Sequence, residues 1–299
     1  MRQQKVCILI LGMHRSGTSM TTRVLNLMGA GLPATLITGL DDNKTGHWES
    51  KPLVLHNDKL LHRLGSSWSE GRLFPLTLFS ARRQARIRRD LIRILSSEYG
   101  DQPVIVLKDP RVCLLADLYV AVLHKAGYQV HLVVPLRHPA EVTRSLKARS
   151  NWPLGKDDTA AVRLWLVHVL GAARAAQHLP HSVLHYSALI YGPLDVARRL
   201  KREIKPLSLP PDQEARITDF VDPSRLSGAD TPKATPSLDL GELELAWLNA
   251  LWNSLSSAEQ LSGQVVEEIE LGLARFESLR EPERRPLDWF RRLRAWLKP

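Results

Sequence analysis

The stretch "ILILGMHRSGTSMTTRVL", residues 8–25, decides the fold of this chain. An apolar run leads into Gly12, and Gly17 follows shortly before Thr18 and Ser19. This spacing matches the phosphate-binding loop GxxxxGK[ST], except that Thr18 stands where that loop has its lysine. The pattern predicts a buried strand, a glycine loop and a helix, the opening unit of an α/β fold with a P-loop-like parallel sheet flanked by helices.

The loop between the two glycines has the chemistry of an anion site. A strand that turns through glycines into a helix presents successive amide groups and the positive end of the helix dipole. Arg15 and the hydroxyls of Thr18 and Ser19 add further donors. In a phosphoryl-transfer loop the lysine reaches the β- and γ-phosphates, so its absence disfavours ordinary ATP or GTP hydrolysis. The alternative is a turn that only connects the strand to the helix.

Composition limits the classes of protein and ligand. The 299 residues are 44% hydrophobic, enough for a sizeable core. The longest apolar run, residues 6–13, is far shorter than the roughly 20 residues that span a membrane. The only cysteines, Cys7 and Cys113, exclude a disulfide framework, and no signal peptide is recognised, so we expect a cytoplasmic location. The net charge of +10 favours an anionic ligand, but no nucleic-acid-binding motif accompanies it.

Strand and helix patterns alternate along the rest of the chain, which predicts a parallel sheet with helices on both faces. Further strands are predicted at 103–110, 129–139 and 181–190, and further helices at 79–97, 158–177 and 242–280. Prolines between Pro206 and Pro236 predict loop rather than core. The predicted organisation is an α/β core (1–204), a proline-rich linker (205–241) and a helical C-terminal extension (242–299).

Two later segments place charged residues at the ends of predicted strands. "VIVLKDPR" carries Lys108, Asp109 and Arg111, and "LVVPLRHPAEVTRSL" carries Arg137 with Ser145 in the helix that follows. Ligands of doubly wound sheets bind beyond the carboxyl ends of the strands. We therefore expect both segments and the first loop to deliver their charged groups to one crevice.

Together, the motifs GMHRSGTS, LKDPR and RHPxEVxxSL resemble sulfotransferases that use 3'-phosphoadenosine 5'-phosphosulfate (PAPS), in particular bacterial members and, more distantly, the tyrosylprotein sulfotransferases. The resemblance implies that Arg137 and Ser145 hold the 3'-phosphate and that Lys108 acts in the transition state. It implies no obligatory metal. "VLHYSALI" is similar to the family's "YEDL" stretch, but Ser187 and Ala188 replace the acidic pair. In the first loop, the residues implied to hold the 5'-phosphosulfate are Gly12, His14, Arg15, Ser16, Gly17, Thr18 and Ser19.

Sulfuryl transfer requires a base for the acceptor hydroxyl and cations for the departing phosphate of 3'-phosphoadenosine 5'-phosphate (PAP). Arg15 and Lys108 are the candidate cations. Glu49 is the preferred base, because a G-x-W-E motif of the family falls on Gly46, Trp48 and Glu49. His47 competes with it, since an imidazole titrates near neutral pH. The alternative to a catalytic Glu49 is a surface residue near a helix start. Other carboxylates in this polar region are Asp41, Asp42 and Asp58.

The acceptor of the transferred group is expected to carry a hydroxyl, and carbohydrate is the leading class of acceptor. The rival functions are a P-loop kinase-like phosphotransferase, which magnesium dependence would identify, and a catalytically inactive PAP-binding scaffold. The basic amphipathic tail at 286–299 suits either a peripheral contact with the inner membrane surface or packing on the protein's own core.

Overall fold

The computed structural model describes residues 5–37, 46–148, 155, 157–225 and 236–278. Asp41, Asp42 and the tail at 286–299 lie outside these ranges. Within them, the chain forms a parallel sheet with strand order β2-β1-β3-β4, so the predicted α/β class is confirmed. The strands are β1 (Lys5–Ile10), β2 (Val104–Lys108), β3 (Tyr128–Leu136) and β4 (His181–His185).

Helices cover both faces of this sheet. None of the described helices is both long and apolar enough to cross a membrane. Short 3-10 turns occur at Leu76–Leu78, Pro110–Leu115 and Pro223–Arg225. The helices are α1 (Thr18–Leu27), α2 (Lys51–Arg63), α3 (Ala81–Tyr99), α4 (Ala116–Lys125), α5 (Pro139–Lys147), α6 (Asp158–Ala176), α7 (Tyr186–Tyr191), α8 (Pro193–Glu203), α9 (Pro211–Phe220), α10 (Glu242–Ser256) and α11 (Gly263–Ser278).

The central strand β1 divides the hydrophobic core into two layers. Side chains alternate across a strand, so Cys7 and Leu9 join the layer that contains α3, α4 and α6. Ile8 and Ile10 join the layer with α1, α7, α8 and α9. Burying one such aliphatic side chain contributes about 1.5–3 kcal/mol to folding. Because β1 is packed on both of its faces, the loop that follows it begins from a fixed position.

The region predicted as a linker contains part of the core, which corrects the sequence-based prediction of loop at 205–240. Helix α9 lies within it, and Ile217 is fully buried, with Leu207 and Val221 beside it. Pro210 and Pro211 stand at the start of α9, where a missing amide donor costs nothing, so these prolines begin a helix instead of preventing one. The strand predicted at 181–190 is also shorter, because β4 ends at His185 and α7 follows.

The strand order brings the first loop next to the end of β3. β1 and β3 pair directly although β2 lies between them in sequence, and such a switch in strand order opens a crevice at the carboxyl ends. At Gly12, an added Cβ would lie 3.0 Å from Thr18 Cγ2 and 3.1 Å from the carbonyl oxygen of Pro135. Glycine thus allows the first loop to pass close to the end of β3.

Candidate active site

The first loop has the backbone geometry expected of an anion-binding turn. Gly17 caps the N-terminus of α1 with a φ of 85°, and a Cβ at this position would lie 2.6 Å from Tyr186 Cδ2. Because glycine has no side chain, the first amides of α1 lack a side-chain cap and can meet a ligand. Arg15 also adopts a positive φ, 68°, which is strained for a residue with a Cβ.

Three predicted ligand residues meet where the first loop lies against β3 and α5. Arg15 Nε donates a hydrogen bond to Ser145 Oγ at 2.8 Å. Arg137 Nη1 donates to the carbonyl oxygen of Arg15 at 3.0 Å. Residues far apart in sequence thus form one cluster, called here the β3-side cluster: Arg15, Arg137 and Ser145. Arg137 holds Arg15 in its strained backbone conformation, and Arg15 in turn orients Ser145.

Arg137 is enclosed by side chains that sequence analysis did not assign. Its Nε donates to Glu141 Oε2 at 2.9 Å, and its Cζ lies 4.2 Å from the ring centroid of Tyr186. The carbonyl oxygen of Arg137 accepts a hydrogen bond from Trp165 Nε1 at 3.1 Å. Glu141 and Tyr186 lie inside motifs already quoted, so the spacing of four residues and the aromatic ring could have indicated them. Trp165 carries no comparable signal.

The predicted catalytic groups meet on the opposite side of the loop. Lys108 ends β2, and its Nζ donates to Glu49 Oε1 at 2.6 Å and to Ser19 Oγ at 3.1 Å. The side chains of Lys108 and Glu49 are 2% and 7% exposed, so this ion pair is almost fully buried. Lys108, Glu49 and Ser19 are called here the β2-side cluster. In it, one ammonium group donates hydrogen bonds to both a carboxylate and a hydroxyl.

A short backbone segment positions Glu49 and His47. Trp48, between them, has a positive φ of 58°, and the Glu49 carbonyl accepts a hydrogen bond from the Ile37 amide at 2.9 Å. The His47 carbonyl accepts a hydrogen bond from Ser19 Oγ at 3.4 Å. Burial lowers the pKa of His47 and exceeds the opposing effect of Glu49, while Lys108 lowers it further. A neutral imidazole can accept a proton, so His47 keeps the chemistry of a base. It lies beside the β2-side cluster, which contains the other predicted base, Glu49.

The other charged residues after β2, Asp109 and Arg111, form hydrogen bonds with each other and with α2. Asp109 Oδ1 accepts from Arg111 Nη1 at 2.9 Å, and Asp109 Oδ2 accepts from Asn57 Nδ2 at 2.9 Å. Arg111 Nε donates to Asp58 Oδ1 at 2.5 Å. Because Asn57 and Asp58 belong to α2, these contacts tie the end of β2 to that helix. Asp109 and Arg111 thus have a structural role at the end of β2, while the charge of Arg111 also lowers the pKa of His47. Their contact with a ligand stays a prediction.

His14 of the first loop packs against two rings of the protein itself. Its ring centroid lies 4.6 Å from that of Trp68 and 6.0 Å from that of His168. His168 is fully buried, and its Nδ1 lies 2.9 Å from the carbonyl oxygen of Leu164, where a protonated Nδ1 donates. Burial lowers the pKa of His168 to about 4, so the ring is neutral at physiological pH.

His168 makes the stability of the fold depend on pH. Its pKa is about 4 in the folded chain and 6.5 as a free side chain, so the unfolded state binds more protons between these values. We expect acidification from pH 6.5 to pH 4 to remove up to about 3 kcal/mol of folding free energy through this group. The non-titrating variant His168→Asn should lack that component. Urea unfolding of both proteins across this range measures the difference, and parallel pH profiles would contradict the assignment.

No group of three or more His, Cys, Asp or Glu side chains among the described residues is arranged to hold a metal ion. His181 and His185 bound β4, and His181 Nε2 accepts a hydrogen bond from the amide of Leu261 at 3.0 Å. That contact gives His181 a structural role at the junction with the C-terminal helices.

Comparison with known proteins adds a set of similar solved structures. Neither a scan against protein-family models nor a search of curated proteins gives a match. The sulfotransferase domain of the Synechococcus olefin synthase is 14% identical, with a TM-score of 0.38, over 100% of this chain and 97% of that one. A sulfotransferase from Mycobacterium avium is 18% identical, with a TM-score of 0.43, over 87% and 79% of the two chains. The sulfotransferase domain of the curacin biosynthetic pathway is 15% identical, with a TM-score of 0.41, over 94% and 100%.

These similar structures are all sulfotransferases, the family that the sequence motifs resemble. Similarity at this level does not transfer an activity from one chain to another. The support for a function comes from the contacts of this chain's own residues in the β3-side and β2-side clusters.

Proposed function

We propose that this chain is a sulfotransferase that moves a sulfuryl group from PAPS to an acceptor hydroxyl. The observation that supports this most is the placement of cations on both sides of a P-loop-like turn that has no lysine of its own. Lys108 lies on the side of β2, and Arg15 and Arg137 lie on the side of β3. Cations on two sides of the loop suit a nucleotide that carries anionic groups at both its 5' and its 3' positions.

The donor groups of the β3-side cluster fit a phosphate. Arg15 and Ser145 supply a guanidinium and a hydroxyl that already share a hydrogen bond. The side chain of Arg137 is 1% exposed and paired with Glu141, so it lies under the first loop and supports Arg15. In this proposal Arg15 and Ser145 contact the 3'-phosphate at the surface of the cluster, and Arg137 adds charge from beneath.

The β2-side cluster supplies the groups that the transfer requires. The acceptor oxygen forms a bond to sulfur as the bond between sulfur and the 5'-phosphate oxygen breaks, and PAP leaves with the bonding electron pair. Glu49 takes the proton of the acceptor hydroxyl, or His47 does so in its place. Lys108 donates to the oxygen on which charge develops, and a donor of this kind is worth about 3 kcal/mol in the transition state. Ser19 keeps Lys108 aimed at the loop.

The donor can be tested by comparing PAP with adenosine 5'-phosphate, which lacks the 3'-phosphate. We expect PAP to bind about ten- to a hundredfold more tightly, because each charge-assisted hydrogen bond contributes roughly 1.5–3 kcal/mol. Isothermal titration calorimetry with and without magnesium measures both affinities. Equal affinity for the two nucleotides would overturn the proposal, and tight magnesium-dependent ATP binding would identify the kinase-like alternative.

Two variants locate the 3'-phosphate. Arg137→Ala should remove most of the preference for PAP, but it also leaves Glu141 without its partner. Ser145→Ala should reduce the preference for PAP with less disturbance of the fold, because it leaves that ion pair in place. Arg202→Gln on the exposed face of α8 removes one positive charge elsewhere and serves as the control. A preference for PAP that survives both site variants would place the phosphate at another position.

A further inference from the structure

A second cationic cavity lies between α1 and α9, outside the two clusters. Its volume is about 390 Å³, near the lower end of the roughly 300–1,000 Å³ typical of small-molecule sites. Two arginines, Arg23 on α1 and Arg216 on α9, face it from opposite sides. The residues that line it are Arg23, Leu27, Ala215, Arg216, Asp219 and Phe220.

The two arginines of this cavity are not neutralised within the described part of the chain. Neither Arg23 nor Arg216 forms an ion pair there, and Asp219 is the one carboxylate in the lining. Arg23 Nη1 donates to Asn26 Oδ1 at 2.5 Å, which is a neutral acceptor. Burial, with a further contribution from the charge of Arg216, lowers the pKa of Arg23. An anion between the two guanidinium groups would relieve this repulsion.

One wall of the cavity, formed by Arg23, lies near the part of the site assigned to the acceptor. Arg23 follows Ser19 by four residues on α1, so the two side chains lie on the same face about 6 Å apart along the axis. Ser19 contacts Lys108, whereas the Cζ of Arg23 lies 4.8 Å from the Trp48 ring centroid. Trp48 directly precedes Glu49. Arg23 thus connects the cavity to the β2-side cluster through Ser19, one turn earlier on α1, and through Trp48, the neighbour of Glu49.

We propose that this cavity binds a carboxylate of the acceptor, so that the chain acts on acidic rather than neutral saccharides. The inference rests on the proposed function, since it names the acceptor class of that site. Guanidinium groups bind carboxylates through paired, charge-assisted hydrogen bonds. Phe220 offers an apolar surface against which the face of a sugar ring packs, and Asp219 disfavours a second acidic group.

A matched pair of sugars tests the site: methyl β-glucuronide and methyl β-glucoside, which differ by the carboxylate. Protein-observed NMR titration in the presence of PAP follows the side-chain Nε–H signals of Arg23 and Arg216. We expect the glucuronide to shift both signals saturably and to bind about tenfold or more tightly than the glucoside. Equal binding of the two sugars, or no binding of either, would overturn the inference.

Arg216→Gln is the decisive variant, because the exposed side chain of Arg216 can be changed without opening the core. It should weaken glucuronide binding about tenfold, whereas Arg202→Gln, with the same loss of charge on α8, should not. If the two variants behave alike, the cavity is not the site. Calorimetry with PAP on the same samples separates the two proposals: PAP binding without glucuronide binding rejects only the acceptor site, and the reverse rejects only the donor assignment.

Discussion

Lys108→Met is expected to lower kcat for sulfuryl transfer by about two to three orders of magnitude, the effect of removing one preorganised donor from a developing oxyanion. Lys108 Nζ is held by Glu49 and Ser19 at the edge of the first loop, where the leaving oxygen would lie. Methionine fills similar space without the charge. Turnover is measured with radiolabelled PAPS on the acceptor that an acceptor screen identifies, under saturating conditions so that kcat is read separately from KM.

The same substitution leaves Glu49 buried without its partner. Breaking one side of a buried ion pair typically costs about 3–5 kcal/mol of folding free energy, so lost turnover alone could reflect lost structure. The double variant Lys108→Met/Glu49→Gln removes both charges and should recover much of the stability but none of the activity. Recovery of turnover in the double variant would show that Lys108 serves only to neutralise Glu49.

Glu49→Gln is expected to reduce turnover by about two to four orders of magnitude if proton abstraction is its role. The amide keeps the shape of the side chain, and its oxygen can still accept the hydrogen bond from Lys108. Affinity for PAP should barely change, because the proposed mechanism assigns Glu49 to the acceptor. Single-turnover rates and calorimetry on the same preparation provide both quantities.

His47→Ala is the matched comparison for this second prediction. His47 lies two residues earlier, and burial already lowers its pKa, so it is a chemically reasonable base. Loss of turnover in His47→Ala with near-normal turnover in Glu49→Gln would assign the base to histidine. If Glu49→Gln loses PAP binding as well as turnover, Glu49 is needed for structure rather than for chemistry.

The sequence predicted the sheet because its strands are buried on both faces and therefore read as continuous apolar runs. The run before Gly12 and the run before Lys108 became neighbouring strands in register, with Ile10 opposite Lys108. Helix α9 was not predicted from the sequence. The number of prolines in this region indicates a loop, whereas prolines in the first turn, where they actually stand, are compatible with a helix.

The candidate site was predicted as a set of residues but not as a set of contacts. Motif spacing identified Arg15, Arg137 and Ser145, because each follows directly on a strand or lies in the next helix. It could not show that Arg137 supports the backbone of Arg15, since that depends on the strained φ of the loop. Nor could spacing pair Lys108 with Glu49, because the separation of 59 residues carries no periodic signal.

The C-terminal helices have a consequence for how the protein is made. Leu255 of α10 and Ile269 and Phe276 of α11 are buried in the same core layer as α6. Next to the end of β3, the Trp252 ring makes an edge contact with His138, with 5.0 Å between the ring centroids. During synthesis on the ribosome, domains fold as units once their parts have emerged. The face of α6 that packs against α11 therefore stays uncovered until translation has passed Phe276. Until then, chaperones have access to an apolar surface that the finished fold buries.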